Sequence, residues 1–330
     1  MLRYRVLRLL SWLALRVPGG VMYGGGRFVA SLAYRFNARG RRVAASNVRH
    51  ILGARADRRT VEAAVRGCFR ATAYYYVDLC RTPLMNPRRF FRRNLRVHGI
   101  EHMQEAMAAG KGLIFATIHY GNPEYAAQCM TALGWSFFAL TEPLEPPPMD
   151  DLVHRLRASQ GHRFMPVSTS GIKAAIRHLR AGGIVCIVFE RDIQHAGVAV
   201  PFFGATARIP SGAVDLARHT GAALIATVAH RRGNDRFDLY VEPPLTLVRT
   251  GRAEEDRRAN VARLIGQFEK YLRADPSQWF VLEEAIWDDR RKPGRVAGAS
   301  PRHPRALSIG HYPTDRHLPP DRPLGRSSLR

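Results

Sequence analysis

Short apolar runs alternate with helical stretches through the middle of the chain, and this alternation restricts the fold more than any other feature. Residues 113–118 form one such run directly after Gly110-Lys111-Gly112, which predicts a buried strand. Further apolar runs lie at 135–140, 163–166, 184–189 and 222–229, and the predicted helices between them lie at 123–133, 150–159, 170–180 and 210–220. Strands separated by helices form largely parallel sheets that are covered on both faces. We therefore predict an α/β core over residues 91–289, with a largely parallel sheet flanked by helices and a last helix at 254–273.

The first 90 residues are predicted to be helical, with helices at 2–17, 38–52 and 58–81. Residues 21–36 are also apolar, but Gly24-Gly25-Gly26 argues against a single straight helix there. At helical spacing, residues 2–17 place one set of apolar side chains opposite arginines and a tryptophan: Leu2, Val6, Leu9, Leu10, Leu13 and Val17 against Arg5, Arg8, Trp12 and Arg16. A basic amphipathic helix of this kind is typical of a membrane interface, although packing on the body of the protein is the alternative. We interpret residues 1–90 as an N-terminal helical membrane-docking region, without a helix that spans the membrane.

Basic residues greatly outnumber acidic ones: 51 Lys and Arg stand against 27 Asp and Glu, for a net charge of +24. Such a field attracts polyanions, either an anionic membrane surface or nucleic acid. The sequence carries no helix-turn-helix, zinc or RNA-recognition signature, which argues against specific nucleic-acid binding. Its four cysteines form no C-x-x-C pair, and we see no metal-ligand spacing among His50, His98, His102 and His154, so we expect no metal site. Residues 290–330 are rich in Arg, Pro, Gly and His and are predicted to be a disordered basic tail.

The segment from Ile118 to Glu124 carries the strongest chemical signal. His119 directly follows the predicted strand, and Glu124 begins the next helix behind Pro123. The imidazole is therefore expected at the carboxyl edge of a parallel sheet, where open α/β sheets bind ligands. A carboxylate one turn away can return to the imidazole and stabilise its charged form. With no adjacent Ser or Cys nucleophile, this pattern indicates a general base for a substrate hydroxyl, although a loop-capping histidine is the structural alternative.

A second carboxylate ends another predicted strand. Glu190 follows the apolar run 184–189 and is itself followed by Arg191 and Asp192. Two neighbouring strand ends would bring His119 and Glu190 to one cleft, whereas the alternative is a solvated loop with local ion pairs.

These motifs together resemble the lipid A late acyltransferase family. The H-x4-D/E pattern of His119 and Glu124 is the signature of glycerolipid and lipid A acyltransferases. The narrower match consists of the E-R-D element at 190–192, the stretch 197–204, the A-R-x-P-x-G element at 207–212, the Pro-x-x-Trp element at 276–279, and Arg42 with Asn47 near the start. The E-R-D and A-R-x-P-x-G elements most resemble the phosphatidylinositol-mannoside acyltransferases. The resemblance covers residues 1–288 and leaves out the tail.

The resemblance implies a function and the roles of individual residues. His119 would remove the proton of an acceptor hydroxyl, which then attacks the thioester of acyl-CoA or acyl carrier protein, and Glu190 would bond the histidine. Arg191 and Arg208 would bind donor phosphates or stabilise the charge on the tetrahedral intermediate. The other residues assigned to substrate or donor binding are Asp192, Phe203 and Gly204.

The acceptor and the setting follow from the same comparison. We expect a membrane glycolipid acceptor of the phosphatidylinositol-mannoside or lipid A type, no bound cofactor, and a peripheral or monotopic protein at the cytoplasmic face of the inner (plasma) membrane. Glu124 stands where the phosphatidylinositol-mannoside acyltransferases usually have Asp. The motifs therefore do not agree on which of the two acceptor types is used. The alternatives are a lysophospholipid acyltransferase, or a basic protein without enzymatic activity that binds nucleic acid or membranes.

Overall fold

The computed structural model describes residues 1–287 and confirms a mixed α/β architecture with a mostly parallel sheet. The sheet has seven strands in the order β1-β9-β8-β2-β5-β3-β4, and β6 and β7 form a separate hairpin. The strands are β1 (Leu95–His98), β2 (Leu113–Thr117), β3 (Phe137–Thr141), β4 (Arg163–Pro166), β5 (Ile184–Val188), β6 (Val198–Phe202), β7 (Ala205–Ile209), β8 (Ala223–Arg231) and β9 (Phe237–Val241).

All five strands that the sequence predicts are present, and they run parallel in the order β8-β2-β5-β3-β4. The sequence pattern misses β1 and β9, which are parallel to each other and join the sheet through an antiparallel β8–β9 pair. The central strand β2 is buried along its whole length. Ile114 and Ala116 face one hydrophobic core and Leu113 and Phe115 face the other, which explains why this strand is an unbroken apolar run.

Twelve α-helices surround the sheet within the described residues. They are α1 (Leu2–Ala14), α2 (Gly19–Phe36), α3 (Ala38–Leu52), α4 (Arg58–Arg81), α5 (Pro87–Arg93), α6 (Ile100–Ala108), α7 (Pro123–Ala127), α8 (Pro147–Ala158), α9 (Thr169–Arg180), α10 (Gly212–Thr220), α11 (Ala253–Gly266) and α12 (Glu269–Ala274). The predicted helices at 38–52 and 58–81 are confirmed as α3 and α4. Their starts are fixed by side-chain caps, since Asn37 accepts a hydrogen bond from the Gly40 amide and Asp57 accepts one from the Thr60 amide.

Three helix expectations need correction. The helix α2 runs unbroken through Gly24-Gly25-Gly26, so the expected interruption was wrong. Gly26 allows close packing on α4, because a Cβ there would lie 3.3 Å from a Val77 methyl group. The stretch 123–133 divides into α7 and a 3₁₀ segment at Gln128–Leu133, and the last helix divides into α11 and α12. For α2 the packing against α4 outweighs the low helix propensity of glycine.

The N-terminal helices and the α/β core are packed together. The helix α4 packs against α1, α2 and α3 and also against the 3₁₀ turn Pro276–Gln278. The buried Asn47 side chain in α3 donates to the Glu284 carbonyl at 3.1 Å and accepts from the Ile286 amide at 3.0 Å. The end of the described chain is thereby held against the helical region. The predicted tail at 290–330 lies outside the described residues.

Candidate active site

His119 and Glu190 lie at equivalent positions on two neighbouring strands. His119 is two residues past the end of β2 and Glu190 is two residues past the end of β5, and Thr117 pairs with Val188 in the parallel register. Both side chains therefore start from the carboxyl edge of the sheet. This is the edge at which open α/β folds place their ligands.

The two side chains are in direct contact. Glu190 Oε1 accepts a hydrogen bond from His119 Nδ1 at 2.8 Å and a second from the His119 backbone amide at 2.7 Å. The indole Nε1 of Trp279 lies 3.4 Å from the same oxygen. With Nδ1 donating to the carboxylate, the basic nitrogen of the neutral imidazole is Nε2. The His119 side chain retains 32% of its exposure while that of Glu190 has none, so the imidazole is accessible and its partner is not.

The environment keeps Glu190 ionised. Burial alone would raise the pKa of this carboxyl, but the His119 ring and backbone amide outweigh it and hold the pKa below its usual value. A buried anion beside an imidazole favours the charged imidazolium, which is the form that a general base takes after accepting a proton.

Glu124 has different partners from those that the sequence suggests. Its carboxylate accepts from Arg157 Nε at 2.9 Å and from the Tyr75 hydroxyl at 3.1 Å, and Arg157 also donates to the Tyr75 hydroxyl at 2.8 Å. The carboxylate in contact with the imidazole is that of Glu190, which lies far away in sequence. Glu124 instead joins α7, α8 and α4 through a partly buried ion pair.

The Pro-x-x-Trp segment is built into the site. Gly121 donates to the Gln278 carbonyl at 3.0 Å, and Phe280 donates to the His119 carbonyl at 3.0 Å. The Phe280 ring packs edge-on against His119, with ring centroids 5.5 Å apart. Gly121 has φ +67°, and a Cβ there would lie 1.8 Å from the Ala229 carbonyl oxygen, so only glycine fits. The loop after β2 is therefore held between β8 and the 276–280 segment.

A buried polar network fixes the other side of this loop. Asn122 caps α7 by accepting from the Tyr125 amide at 3.0 Å, and its side-chain amide donates to Asp78 at 2.8 Å. Asp78 is completely buried in α4, and it also accepts from Tyr23 of α2 and is paired with Arg231 at the end of β8. This network, which we call the Asp78 cluster (Tyr23, Asp78, Asn122 and Arg231), joins the N-terminal helices to the loop that carries His119.

The residues assigned to donor binding divide into two groups. Arg191 pairs with Glu283 at 3.2 Å, and Asp192 accepts from the amides of Ala196 and Gly197, so both have partners within the protein. Arg208 is 55% exposed and lies 3.7 Å from Asp192. It lines a cleft of ≈380 Å³ together with Gly197, Glu254 and Arg258.

Phe203 and Gly204 form the two-residue turn of the β6–β7 hairpin. Both have positive φ, at 51° and 74°, as a type I′ turn requires. The Phe203 amide donates to Glu269 at 2.7 Å. The turn geometry is a structural reason for glycine at position 204, independent of substrate.

Several residues of the site have no obvious signal in the sequence. Tyr75 and Arg157 hold Glu124, and Asp78 holds Asn122, yet each lies on a helix remote in sequence from His119. Arg157 reads as one more arginine in a chain with 51 Lys and Arg. The Tyr74-Tyr75-Tyr76 run is the only visible hint, and it is more typical of core packing.

An imidazole held by a buried carboxylate at the carboxyl edge of a parallel sheet is the arrangement of a general base in an α/β enzyme. Within residues 1–287 no hydrogen bond joins His119 to a serine or cysteine side chain. Comparison with known proteins gives the particular family. Residues 2–286 match the model of the bacterial lipid A biosynthesis acyltransferases, and the chain belongs to this family.

Individual relatives include both branches of the family. The chain is 31% identical over 213 residues to a phosphatidylinositol mannoside acyltransferase of Mycobacterium tuberculosis strain CDC 1551, covering 63% of this chain and 66% of the relative. It is 28% identical over 235 residues to the phosphatidylinositol mannoside acyltransferase of Mycolicibacterium smegmatis, covering 69% of this chain and 75% of the relative. It is 23% identical over 297 residues to the lipid A biosynthesis lauroyltransferase of Escherichia coli K12, covering 88% of this chain and 92% of the relative. The match to the Mycobacterium tuberculosis relative thus spans just under two thirds of that protein.

Proposed function

We propose that this protein is an O-acyltransferase that moves a fatty acyl chain from a thioester donor to a hydroxyl of a membrane glycolipid. The observation that carries the proposal is the contact between His119 and the buried Glu190 at the carboxyl edge of the sheet. Family membership supports acyl transfer as the reaction, and the names of the relatives support a phosphatidylinositol-mannoside or lipid A type of acceptor. The donor is acyl-CoA or acyl carrier protein.

The proposed reaction uses the two ring nitrogens of the His119 imidazole. Nε2 of His119 accepts the proton of the acceptor hydroxyl while its oxygen attacks the thioester carbonyl carbon. The C–O bond forms, and the tetrahedral intermediate collapses with cleavage of the C–S bond. The imidazolium then transfers its proton to the departing thiolate. Glu190 stabilises the imidazolium between these two steps through its bond to Nδ1. The products are an ester and a free thiol.

Arg208 and Arg191 remain the proposed ligands of the donor's phosphates. Arg208 is the better placed of the two, since it is half exposed and lines a cleft, whereas Arg191 is engaged by Glu283. The cleft also contains Arg258, a second guanidinium, together with the carboxylates of Glu254 and Glu255. Paired arginines recognise phosphate through several charge-assisted hydrogen bonds.

The N-terminal helices support docking on an anionic membrane. In α1 the side chains of Leu7 and Ala14 are buried, while Val6, Leu9 and Trp12 are exposed. The next helix, α2, exposes a larger apolar face at helical spacing, made of Val21, Phe28, Val29, Leu32 and Phe36. Arginines flank both faces, as is typical of helices at a membrane surface. Among residues 1–287 no helix is long and apolar enough to cross a membrane. The exposed apolar face of α2 supports a peripheral or monotopic association, which we propose.

The catalytic part of the proposal is tested by replacing His119 with alanine. A sugar hydroxyl is a weak nucleophile, and a positioned base contributes about 10²–10⁴-fold. We expect H119A to lose thiol release from acyl-CoA by that factor in the presence of a glycolipid acceptor. The exposed His219 in α10 provides the matched control, and H219A should retain wild-type turnover. Near-normal turnover in a folded H119A protein would contradict the mechanism.

The membrane part is tested by a charge on the exposed face of α2. Phe28 is 66% exposed, and burying such a ring in the lipid interface contributes roughly 2 kcal/mol. We expect F28E to weaken co-sedimentation with anionic vesicles by about 30-fold. Ile172 on α9 is 40% exposed and serves as the control, so I172E should bind as the wild type does. Equal losses in the two variants would show that α2 has no special part in docking.

A further inference from the structure

A second cleft, of ≈520 Å³, lies beside α5 and does not include His119 among its lining residues. Its walls come from the end of α4, from α5 and from the turn between β8 and β9. Four arginines line it, which are Arg81, Arg89, Arg93 and Arg236. We call it the arginine cleft.

The charge in the arginine cleft is only slightly compensated. Asp235 is the one acidic residue among those that line it. Within residues 1–287, Arg89, Arg93 and Arg236 form no ion pair with an acidic side chain. A cleft whose walls carry several unpaired guanidinium groups favours an anion with several oxygens, and phosphate is the commonest such group.

A tyrosine side chain also lines the arginine cleft. Tyr125 lines the cleft although its side chain is only 7% exposed, and its hydroxyl has no hydrogen-bond partner in the described part of the chain. The ring is fixed by edge-on packing against Phe90, with centroids 5.3 Å apart. Burial raises the pKa of Tyr125, so the phenol stays protonated and can donate. A neutral hydroxyl in a cleft lined by arginines can donate a further hydrogen bond to a phosphate oxygen.

The arginine cleft adjoins the apolar surface of the N-terminal helices. The Arg81 guanidinium donates to the Ala14 and Val17 carbonyls, at 3.5 and 3.3 Å, in the turn between α1 and α2. The exposed side chains of Leu15 and Val21 flank this turn. Leu84 in the wall of the cleft is itself 48% exposed. A molecule that carries a phosphate beside apolar chains matches this combination of surfaces.

We propose that the arginine cleft binds the phosphate headgroup of an anionic phospholipid in the membrane on which the protein acts. The site is distinct from the His119–Glu190 pair. It would anchor the protein to the membrane and orient it there. The inference rests on the proposed membrane docking and not on catalysis. Binding is measured without turnover, so failure of the acyl-transfer proposal and failure of this one are distinguishable.

The test compares vesicles of phosphatidylcholine alone with vesicles that also contain phosphatidylglycerol. R89Q/R93Q removes two exposed charges one turn apart on α5, and K173Q/R177Q removes two exposed charges at the same spacing on α9. Each basic residue near an anionic surface changes the affinity about fivefold, so we expect R89Q/R93Q to bind the mixed vesicles about 30-fold more weakly. K173Q/R177Q should change binding by less than about threefold, since α9 packs on β3, β5 and α10 rather than on the N-terminal helices.

Y125F separates a built site from a general electrostatic attraction, because it removes one hydroxyl and no charge. A hydrogen bond to a charged group is strong enough that we expect about tenfold weaker binding to the mixed vesicles and none of this loss on pure phosphatidylcholine. If Y125F binds as the wild type does, or if both charge-removing pairs lose the same affinity, the proposal is wrong. It is equally wrong if soluble glycerol phosphate competes as well as the lipid, or if the arginine variants lose binding to an acidic carrier protein instead. Thermal unfolding checks each fold, and Y125F alone decides should R89Q/R93Q not fold.

Discussion

Replacing Glu190 with glutamine tests how much the buried charge contributes to the proposed chemistry. Glutamine keeps the size of the side chain, and its carbonyl oxygen can still accept from His119 Nδ1 and from the backbone amide. The change therefore removes the negative charge and leaves the imidazole positioned. What is lost is the stabilisation of the imidazolium that forms when His119 accepts a proton.

The size of the loss follows from the geometry. Nδ1 and Oε1 are 2.8 Å apart, so the centres of the two charges are roughly 4 Å apart. At that separation an effective dielectric constant of about 20 gives an attraction of about 4 kcal/mol. A charge-assisted hydrogen bond is stronger than a neutral one by roughly 1–2 kcal/mol, and this difference is the lower limit for the stabilisation lost in E190Q. We expect E190Q to lower kcat by about 10- to 1000-fold, with a smaller change in KM.

The assay is thiol release from acyl-CoA with a glycolipid acceptor, measured at several acceptor concentrations. E124Q makes the same chemical change at the carboxylate that bonds Arg157 and Tyr75, and it serves as the matched control. We expect its effect on kcat to be the smaller of the two. Because the new amide nitrogen of E190Q is buried, circular dichroism and thermal unfolding must show that the protein is folded. A folded E190Q with kcat within about threefold of the wild type would refute the role assigned to this charge.

Three further outcomes follow from the packing around the site. Tyr23→Phe leaves one oxygen of the buried Asp78 without its hydroxyl donor, so the free energy of unfolding should fall by about 1–3 kcal/mol, as measured by urea denaturation. Asn47→Ala removes the bonds between α3 and residues 281–286, and limited proteolysis should then cut near that segment faster than in the wild type; equal rates would contradict the proposed clamp. The pKa of Glu190 is lowered in the folded protein, so its ionised form stabilises the fold at pH values above the usual titration range of glutamate, near pH 4.3. The stability advantage of the wild type over E190Q should therefore shrink as the pH falls through and below that range. An advantage that stays constant from pH 7 to about pH 3 would show that this carboxylate is not selectively stabilised in the folded state.

The Asp78 cluster gives the N-terminal helices a structural connection to the loop that carries His119. Tyr23 lies on the buried side of α2, whose opposite side exposes Phe28 and its apolar neighbours. Asp78 receives hydrogen bonds from both Tyr23 and Asn122, and Asn122 caps the helix that follows the loop. The helical region is therefore part of the framework of the site as well as a candidate docking surface.

The sequence by itself determined the parallel part of the sheet and the position of His119. The strands β2 and β5 are unbroken apolar runs because both faces of a parallel sheet are covered, and this makes them visible without a structure. His119 and Glu190 end these two runs, so their meeting at one edge could be predicted. The helices α3 and α4 were also predicted from the sequence, and in the structure the side chains of Asn37 and Asp57 cap their starts.

Only the tertiary structure decided which carboxylate serves the imidazole. Glu124 is five residues from His119 and Glu190 is much farther along the chain, so distance in sequence alone favours Glu124. The parallel pairing of β2 with β5 puts Glu190 against the ring, while α4 and α8 bring Tyr75 and Arg157 to Glu124 and engage it. The same holds for α2, where packing of Gly26 on Val77 of α4 keeps a glycine-rich segment helical. Partner choice and helix continuity depend on contacts between remote elements, and the local pattern of residues does not encode which remote elements meet.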